Sequence, residues 1–220
     1  MELIGVPGIP EVAAGDDIAA LIAKALRDAS IEVVEQDVFV VAQKIVSKAE
    51  GRIVHLDSVV PSLRALEWAA AFDKDPRVVE VVLHESKRLV RMERGVLISE
   101  TEHGFVCANA GVDTSNVAEG TVTLLPKDPD ASARKIRAAN VALGVSGIAP
   151  LIDYRGQKDS HGNALKVTVI AIADELASAA ELVMRKSAGI PVAIMRGFNY
   201  ESRDATALEL IRVPELDLFR

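Results

Sequence analysis

The side chains best suited to chemistry lie in Gly104-Phe105-Val106-Cys107-Ala108-Asn109-Ala110-Gly111-Val112-Asp113-Thr114-Ser115-Asn116. Phe105–Ala108 is a short apolar run that reads as a buried strand. The stretch then turns polar, with Ala108, Ala110 and Gly111 interleaved among Asn109, Asp113, Thr114, Ser115 and Asn116. Small side chains let the backbone approach a ligand closely. One carboxylate among hydroxyls and amides offers hard oxygen ligands to Mg²⁺ or Mn²⁺, usually shared with substrate phosphates. The same residue types also describe a strand followed by an Asx-rich turn or a helix N-cap.

A second chemical segment is Ala42-Gln43-Lys44-Ile45-Val46-Ser47-Lys48-Ala49-Glu50-Gly51. Two lysines stand four apart, and Gln43 and Ser47 share a side if the segment is helical. A strand leading into Lys and Ser is a common receiver of phosphate, by charge and backbone N–H groups. The glycines of a P-loop are missing. The alternative is a solvated helix start. His103 has the chemistry of an acid–base group, although a lone His is more often structural. Glu80, His84 and Glu85 form either a metal cluster or solvated surface, and Arg91 is either an anion contact or an exposed charge. Cys107 is the only cysteine, which excludes an internal disulfide and fits a reducing cytoplasm. As a small buried hydrophobe it needs no catalytic role.

The elements that must position these groups are read from periodicity. Strands are expected at 3–6, Asp37–Val41, Val96–Ile98, Thr121–Leu125, Lys166–Ala171 and Val192–Met195. A helix opens after Gly15, with Asp16 as N-cap and Ile18, Leu21, Ile22, Ala25 and Leu26 inward. Further helices are expected over Ser62–Asp73 (Leu63, Leu66, Ala70 and Phe72 inward), from Asp75 through Val78, Val79, Val82 and Leu83, over Ala131–Ala139, and over Asp174–Met184. Trp68 reads as core or interface, and the Asp130, Arg134 and Lys135 charges as solvated. Asp153–Asn163 is loop by composition, and the C-terminal segment closes with an amphipathic helix. Strands and helices alternate irregularly, so the expectation is α+β (mixed α/β), irregular mixed sheets packed with helices, and not a Rossmann sheet; no GxGxxG is present.

The totals bound the function. With 220 residues, 50% hydrophobic and a mean hydropathy of +0.23, the chain buries a real core. We expect a single domain over 1–220 with room for sub-lobes. A net charge of −7 argues against a nucleic-acid surface, so an anionic substrate needs a local basic cluster or a metal. No apolar run reaches membrane-spanning length, and the N-terminus lacks the layout of a signal peptide.

Together the segments resemble the coenzyme F420-0:γ-glutamyl ligase family. The matching stretches are Gly8-Ile9-Pro10-Glu11, residues 40–51 with their VSKAEG run, HGFVCANAGVDTSNV (103–117), LLPKDPDASA (124–133), GIAPLIDYRGQKD (147–159), ADELASAAELVM (173–184) and DLFR (217–220). The resemblance implies a GTP-dependent ligase that adds L-glutamate through a γ-linkage to F420-0, and then to F420-1, by way of an acyl phosphate. It implies Mg²⁺ or Mn²⁺, two divalent ions in all, with K⁺ as a further candidate, and a cytoplasmic homodimer. Carried over by motif, Gly8, Ile9, Pro10, Glu11, Gln43, Lys48 and Asn116 lie against the nucleotide. Met184, Arg185, Lys186, Ser187, Ala188 and Gly189 close over it. Asp113 binds metal and, with Lys48, is catalytic. Lys186 stands where relatives carry a metal-holding Gln. The other readings are a catalytically impaired homologue that still holds GTP or F420, and a metal-dependent phosphotransferase or hydrolase using Asp113 and His103.

One departure is serious. The family pattern places a strand ending in a Ser-Asp-Thr-Phe-Gly-Arg-type motif, which supplies metal ligands, between the DPDASA helix and Asn140-Val141-Ala142-Leu143-Gly144-Val145-Ser146-Gly147-Ile148. Here Ala139 runs straight into Asn140 with no stop chemistry, a seam at Ala138–Asn140. Either the chain lacks half of the metal site, which predicts little or no ligase activity, or residues are missing from the sequence as read. We expect the latter, because an isolated Asp113 would bind a divalent ion poorly and loss of a central strand would bare buried edges.

Overall fold

The computed structural model describes residues 1–139, 151–153, 157–158, 160–164, 169–185, 187–200 and 205–211. The segment 140–150, much of the 153–163 loop, the start of the Lys166–Ala171 strand, Lys186 and the closing helix with residues 214–220 lie outside them. The chain forms two compact units. Every strand ladder observed is antiparallel, so the fold is α+β and not Rossmann-like.

The first unit is built from Met1–Glu11, Asp17–Ala42 and Asp130–Leu210. Its sheet runs β1 (Glu2–Gly5), β10 (Val192–Arg196), β2 (Val38–Val41), with β10 in the centre. Val192, Ala193, Ile194 and Met195 are all buried, as a strand covered on both faces requires. Helix α6 (Ile172–Met184) lays its stripe on that sheet: Ile172 and Leu176 meet Met195 and Val38, while Ala180 and Met184 meet Ala193. Helix α1 (Ile18–Asp28) buries Ile18, Ala19, Ile22, Ala25 and Leu26. Its N-cap is Asp17, not Asp16: Asp17 Oδ1 accepts from the Ala20 N–H, whereas Asp16 accepts from Ala13 in the preceding turn. β8 (Leu151–Asp153) pairs with β9 (Val169–Ala171), and α5 spans Pro129–Ala139. Asp130 is not simply solvated; its Oδ1 accepts from the Ala207 N–H at 2.8 Å.

The second unit is built from Val12–Asp16 and Gln43–Pro129. It holds α2 (Gln43–Ala49), β3 (Ile53–His55) paired with β7 (Thr121–Thr123), and the helix pair α3 (Leu63–Phe72) and α4 (Pro76–His84). A meander of β4 (Ser86–Glu93), β5 (Val96–Thr101) and β6 (Val106–Ala108) completes it. The core gathers Leu56, Ala65, Ala69, Val79, Val81, Val82, Leu97, Ala110, Val112, Val122 and Leu124.

Several expectations are corrected here. Helix α3 turns Ala65 and Ala69 inward, with Trp68 against the core, while Leu63 and Leu66 are 71% and 46% exposed. Small residues let α3 lie close to α4, and a leucine stripe would hold it off. Glu80 is buried rather than solvated: its Oε2 accepts from Ser62 N–H at 2.8 Å and Ser62 Oγ at 2.6 Å. Ser62 is also the N-cap of α3. The charged run 86–93 is strand β4, and β6 is half-buried, not buried.

Candidate active site

The 109–116 loop is shaped by its backbone before any side chain is considered. Asn109, Ala110 and Gly111 all take left-handed φ, of 53°, 51° and 73°. Such angles cost a residue with a Cβ about 1–2 kcal/mol each. The cost is sustained because Ala110 is sealed in the core at 2% exposure and Val112 N–H donates to Asn109 O at 2.8 Å. Gly111 has no substitute: a Cβ there would stand 2.6 Å from Leu125 Cγ. Asn116, also left-handed at φ 53°, is of a type that tolerates the region.

This turn delivers Asp113 to β7. Asp113 N–H donates to Thr123 O at 3.0 Å, and Thr123 N–H donates back to Asp113 O at 2.9 Å. With its backbone fixed on both sides, the carboxylate is aimed at α2. Asp113 Oδ1 accepts from Ser115 N–H at 2.7 Å, an Asx turn as the residue types allow. Oδ2 lies 2.9 Å from Lys44 Nζ. The same ammonium donates to Ser115 O at 2.6 Å and to Ser115 Oγ. Burial alone would push the Asp113 carboxyl up. The hydrogen bond from Lys44, those from Ser115 and the charge of Lys44 outweigh it and hold the carboxyl below its ordinary 3.8.

Helix α2 is seated by Gln43, whose Nε2 donates to Leu124 O at 3.1 Å and to Ser47 Oγ. Arg52 adds Nε to Leu125 O at 2.9 Å and Nη2 to Glu85 Oε2 at 2.7 Å. Helical spacing did put Gln43 and Ser47 on one side. The sequence reading chose Lys48 as the working lysine, and the structure brings Lys44 to Asp113; Lys48 is buried in α2. Ser115 stands among the loop hydroxyls already singled out, but its link to Lys44 and the Leu124 and Leu125 carbonyls went unnoticed, because a tertiary partner or a backbone acceptor leaves no mark in a sequence. The Asx pattern around Asp113 was the one available signal.

The remaining candidates lie on other elements. Gly8 (φ 82°), Pro10 and Glu11 are exposed and Ile9 is half-buried in the first unit. Met184 is core, while Arg185, Ser187, Ala188 and Gly189 are exposed in the turn after α6, where Ala188 N–H donates to Arg185 O at 3.0 Å. His103 Nε2 stands 3.0 Å from Lys127 O, which ties the ring to backbone. The Cys107 thiol is half-buried and pushed up by burial, the opposite of a nucleophile's environment. Among the described residues no group of three His, Cys, Asp or Glu side chains could hold a metal ion. The only carboxylate in the 109–116 loop is already paired with a lysine. These residues do not fit a resident two-ion centre.

The F420-0:gamma-glutamyl ligase family matches the sequence over residues 8–139 and 137–197. The chain belongs to that family. Three curated proteins named Coenzyme F420:L-glutamate ligase illustrate the likeness. That of Methanothermobacter thermautotrophicus is 43% identical over 100% of this chain and 99% of its own length. Those of Methanopyrus kandleri and Archaeoglobus fulgidus are 42% and 36% identical, over 98% and 100% of this chain and 96% of their own lengths. The family match breaks into two pieces at the seam. The Methanothermobacter alignment runs over 249 residues against a chain of 220, so the relative carries residues with no counterpart here. In the 220-residue sequence Ala139 is followed directly by Asn140, at the point where the family match divides.

Proposed function

We propose that this chain is a ligase that joins L-glutamate to coenzyme F420-0, and then to F420-1, through a γ-linkage. The observation that carries the reading is the end-to-end likeness to proteins named for that reaction, at 43% identity. In the finer reading GTP is the phosphate donor. A terminal carboxylate oxygen of F420-0 attacks the γ-phosphorus; the bond to the β-bridging oxygen breaks and GDP leaves. The α-amino nitrogen of glutamate then attacks the acyl carbon, loses a proton, and phosphate departs with the bonding pair. The first step brings an anion to an anion, so positive charge must offset the repulsion. The amine must attack unprotonated, which favours a site closed to water.

The residues proposed for nucleotide binding are those the family motifs mark: Gly8–Glu11, Gln43, Lys48, Asn116 and Met184–Gly189. Asp113 enters as a carboxylate held ionised. The described residues do not build a site for two divalent ions. A homodimer in a reducing cytoplasm is the proposed setting. Among the described residues no helix is long and apolar enough to cross a membrane.

The missing segment and the Lys44–Asp113 pair favour a second reading, a homologue that binds GTP or F420 and turns over little or nothing. Incubation with F420-0, L-glutamate, GTP and Mn²⁺, followed by mass spectrometry, separates the two. A gain of one glutamyl residue supports the ligase. No gain, with GTP or F420-0 still bound by calorimetry, overturns it in favour of the second reading.

A further inference from the structure

We propose that the Lys44 ammonium fills a cation position formed by Asp113 Oδ2, Ser115 O and Ser115 Oγ, and that Lys44 and a divalent ion exclude one another there. An ammonium has three N–H donors and no acceptor. The three oxygens receive all three: the carboxylate at 2.9 Å, the carbonyl at 2.6 Å and the hydroxyl. Lys44 therefore has no donor left for a phosphate. A carboxylate, a carbonyl and a hydroxyl are also the hard oxygens that Mg²⁺ or Mn²⁺ prefers.

The oxygens do not depend on an ion for their placement. Asp113 is bonded to Thr123 through both its N–H and its C=O, and its second carboxylate oxygen is fixed by Ser115 N–H. What moves is the lysine, on a flexible four-carbon stem. Lys44 is thus a displaceable plug, and removing its charge opens the cluster. The family resemblance puts a metal on Asp113; the structure puts a protein cation there. The inference does not rest on the ligase reading, since it concerns the protein without substrates.

The test is a Mn²⁺ titration of the full chain, read by the electron paramagnetic resonance of free Mn²⁺, with no nucleotide present. Wild type and Asp113→Asn are expected to bind alike, through the weak surface sites of an acidic chain. Lys44→Met, which keeps the stem, is expected to bind at least tenfold more tightly. The double variant Lys44→Met/Asp113→Asn is expected to fall back to the wild-type level. The proposal is overturned if Asp113→Asn alone weakens Mn²⁺ binding tenfold, or if Lys44→Met, folded by circular dichroism, gains nothing. Should Lys44→Met not fold, the wild-type and Asp113→Asn comparison still decides: tenfold weakening overturns the proposal and equality supports it. Failure of glutamate transfer leaves this titration unaffected, so the two readings fail separately.

Discussion

Two ion pairs, one in each unit, differ in kind. In the first unit Arg196 grips Asp37 with two bonds, Nε to Oδ1 at 2.9 Å and Nη2 to Oδ2 at 2.8 Å. The Asp37 side chain is fully buried and also accepts from Val34 N–H, while Arg196 Nη2 reaches Glu32 O at 2.7 Å. In the second unit Lys44 meets Asp113, whose side chain is 38% exposed. A planar guanidinium, bidentate on a fully buried carboxylate, locks one geometry; an ammonium on a flexible stem is a point charge that exchanges partners. The first pair belongs to architecture. The second is built so that its carboxylate is fixed and its cation is not.

The sharpest way to break this contrast is Arg196→Leu. It strands the Asp37 carboxylate in the interior, and a loss of about 3 kcal/mol in unfolding free energy is expected. Urea denaturation checks it; a loss under 1 kcal/mol, the scale of exposed pairs, would erase the distinction. Next comes Gly111→Ala, which tests whether the Asp113 carboxylate stands on rigid backbone. Left-handed φ and the clash with Leu125 together predict a loss of about 2 kcal/mol, read from the same denaturation curves. An unchanged midpoint would mean the loop adapts and supports nothing.

The smallest effect concerns pH. Asp113 is held below 3.8, so its contribution to stability is present above that value and disappears as the pH falls through its lowered folded value. Wild type should exceed Asp113→Asn by less than about 1 kcal/mol at neutral pH. The gap should close only below pH 3.8 in thermal melts taken along a pH series. A gap that closed between pH 5 and 6 would mean that another group carries it.

Much of this was legible in advance where a period was strong. The α6 stripe of Leu176, Ala180 and Met184, the run Val192–Met195 and the α2 segment carry one signal each. The Asp113 loop announced itself by small residues and Asx chemistry. Legibility stopped where the cause was tertiary. Strand β4, SKRLVRME, alternates neither charge nor hydrophobicity along its length, and its register on β5 shifts twice; only pairing with β5 makes it a strand. The inward face of α3 was misread because alanines, not leucines, were wanted against α4. Glu80 looks like surface on its own helix and is buried by Ser62 from another. The Asp37–Arg196 pair spans 159 positions, which no local rule connects. Lys44 and Lys48 stand four apart on one face of α2, so which of them reaches the loop turns on position along the helix axis, and spacing alone does not reveal it.

The strand order β1-β10-β2 has a consequence for how the protein is made. Residues 2–5 find their neighbour at 193–196 and residues 38–41 at 192–195, so two early strands wait, edges open, until residues 192–196 have left the ribosome. The 43–129 stretch pairs within itself and meets no such delay. Translation thus imposes a schedule in which the half carrying Lys44 and Asp113 is assembled while the other is still incomplete.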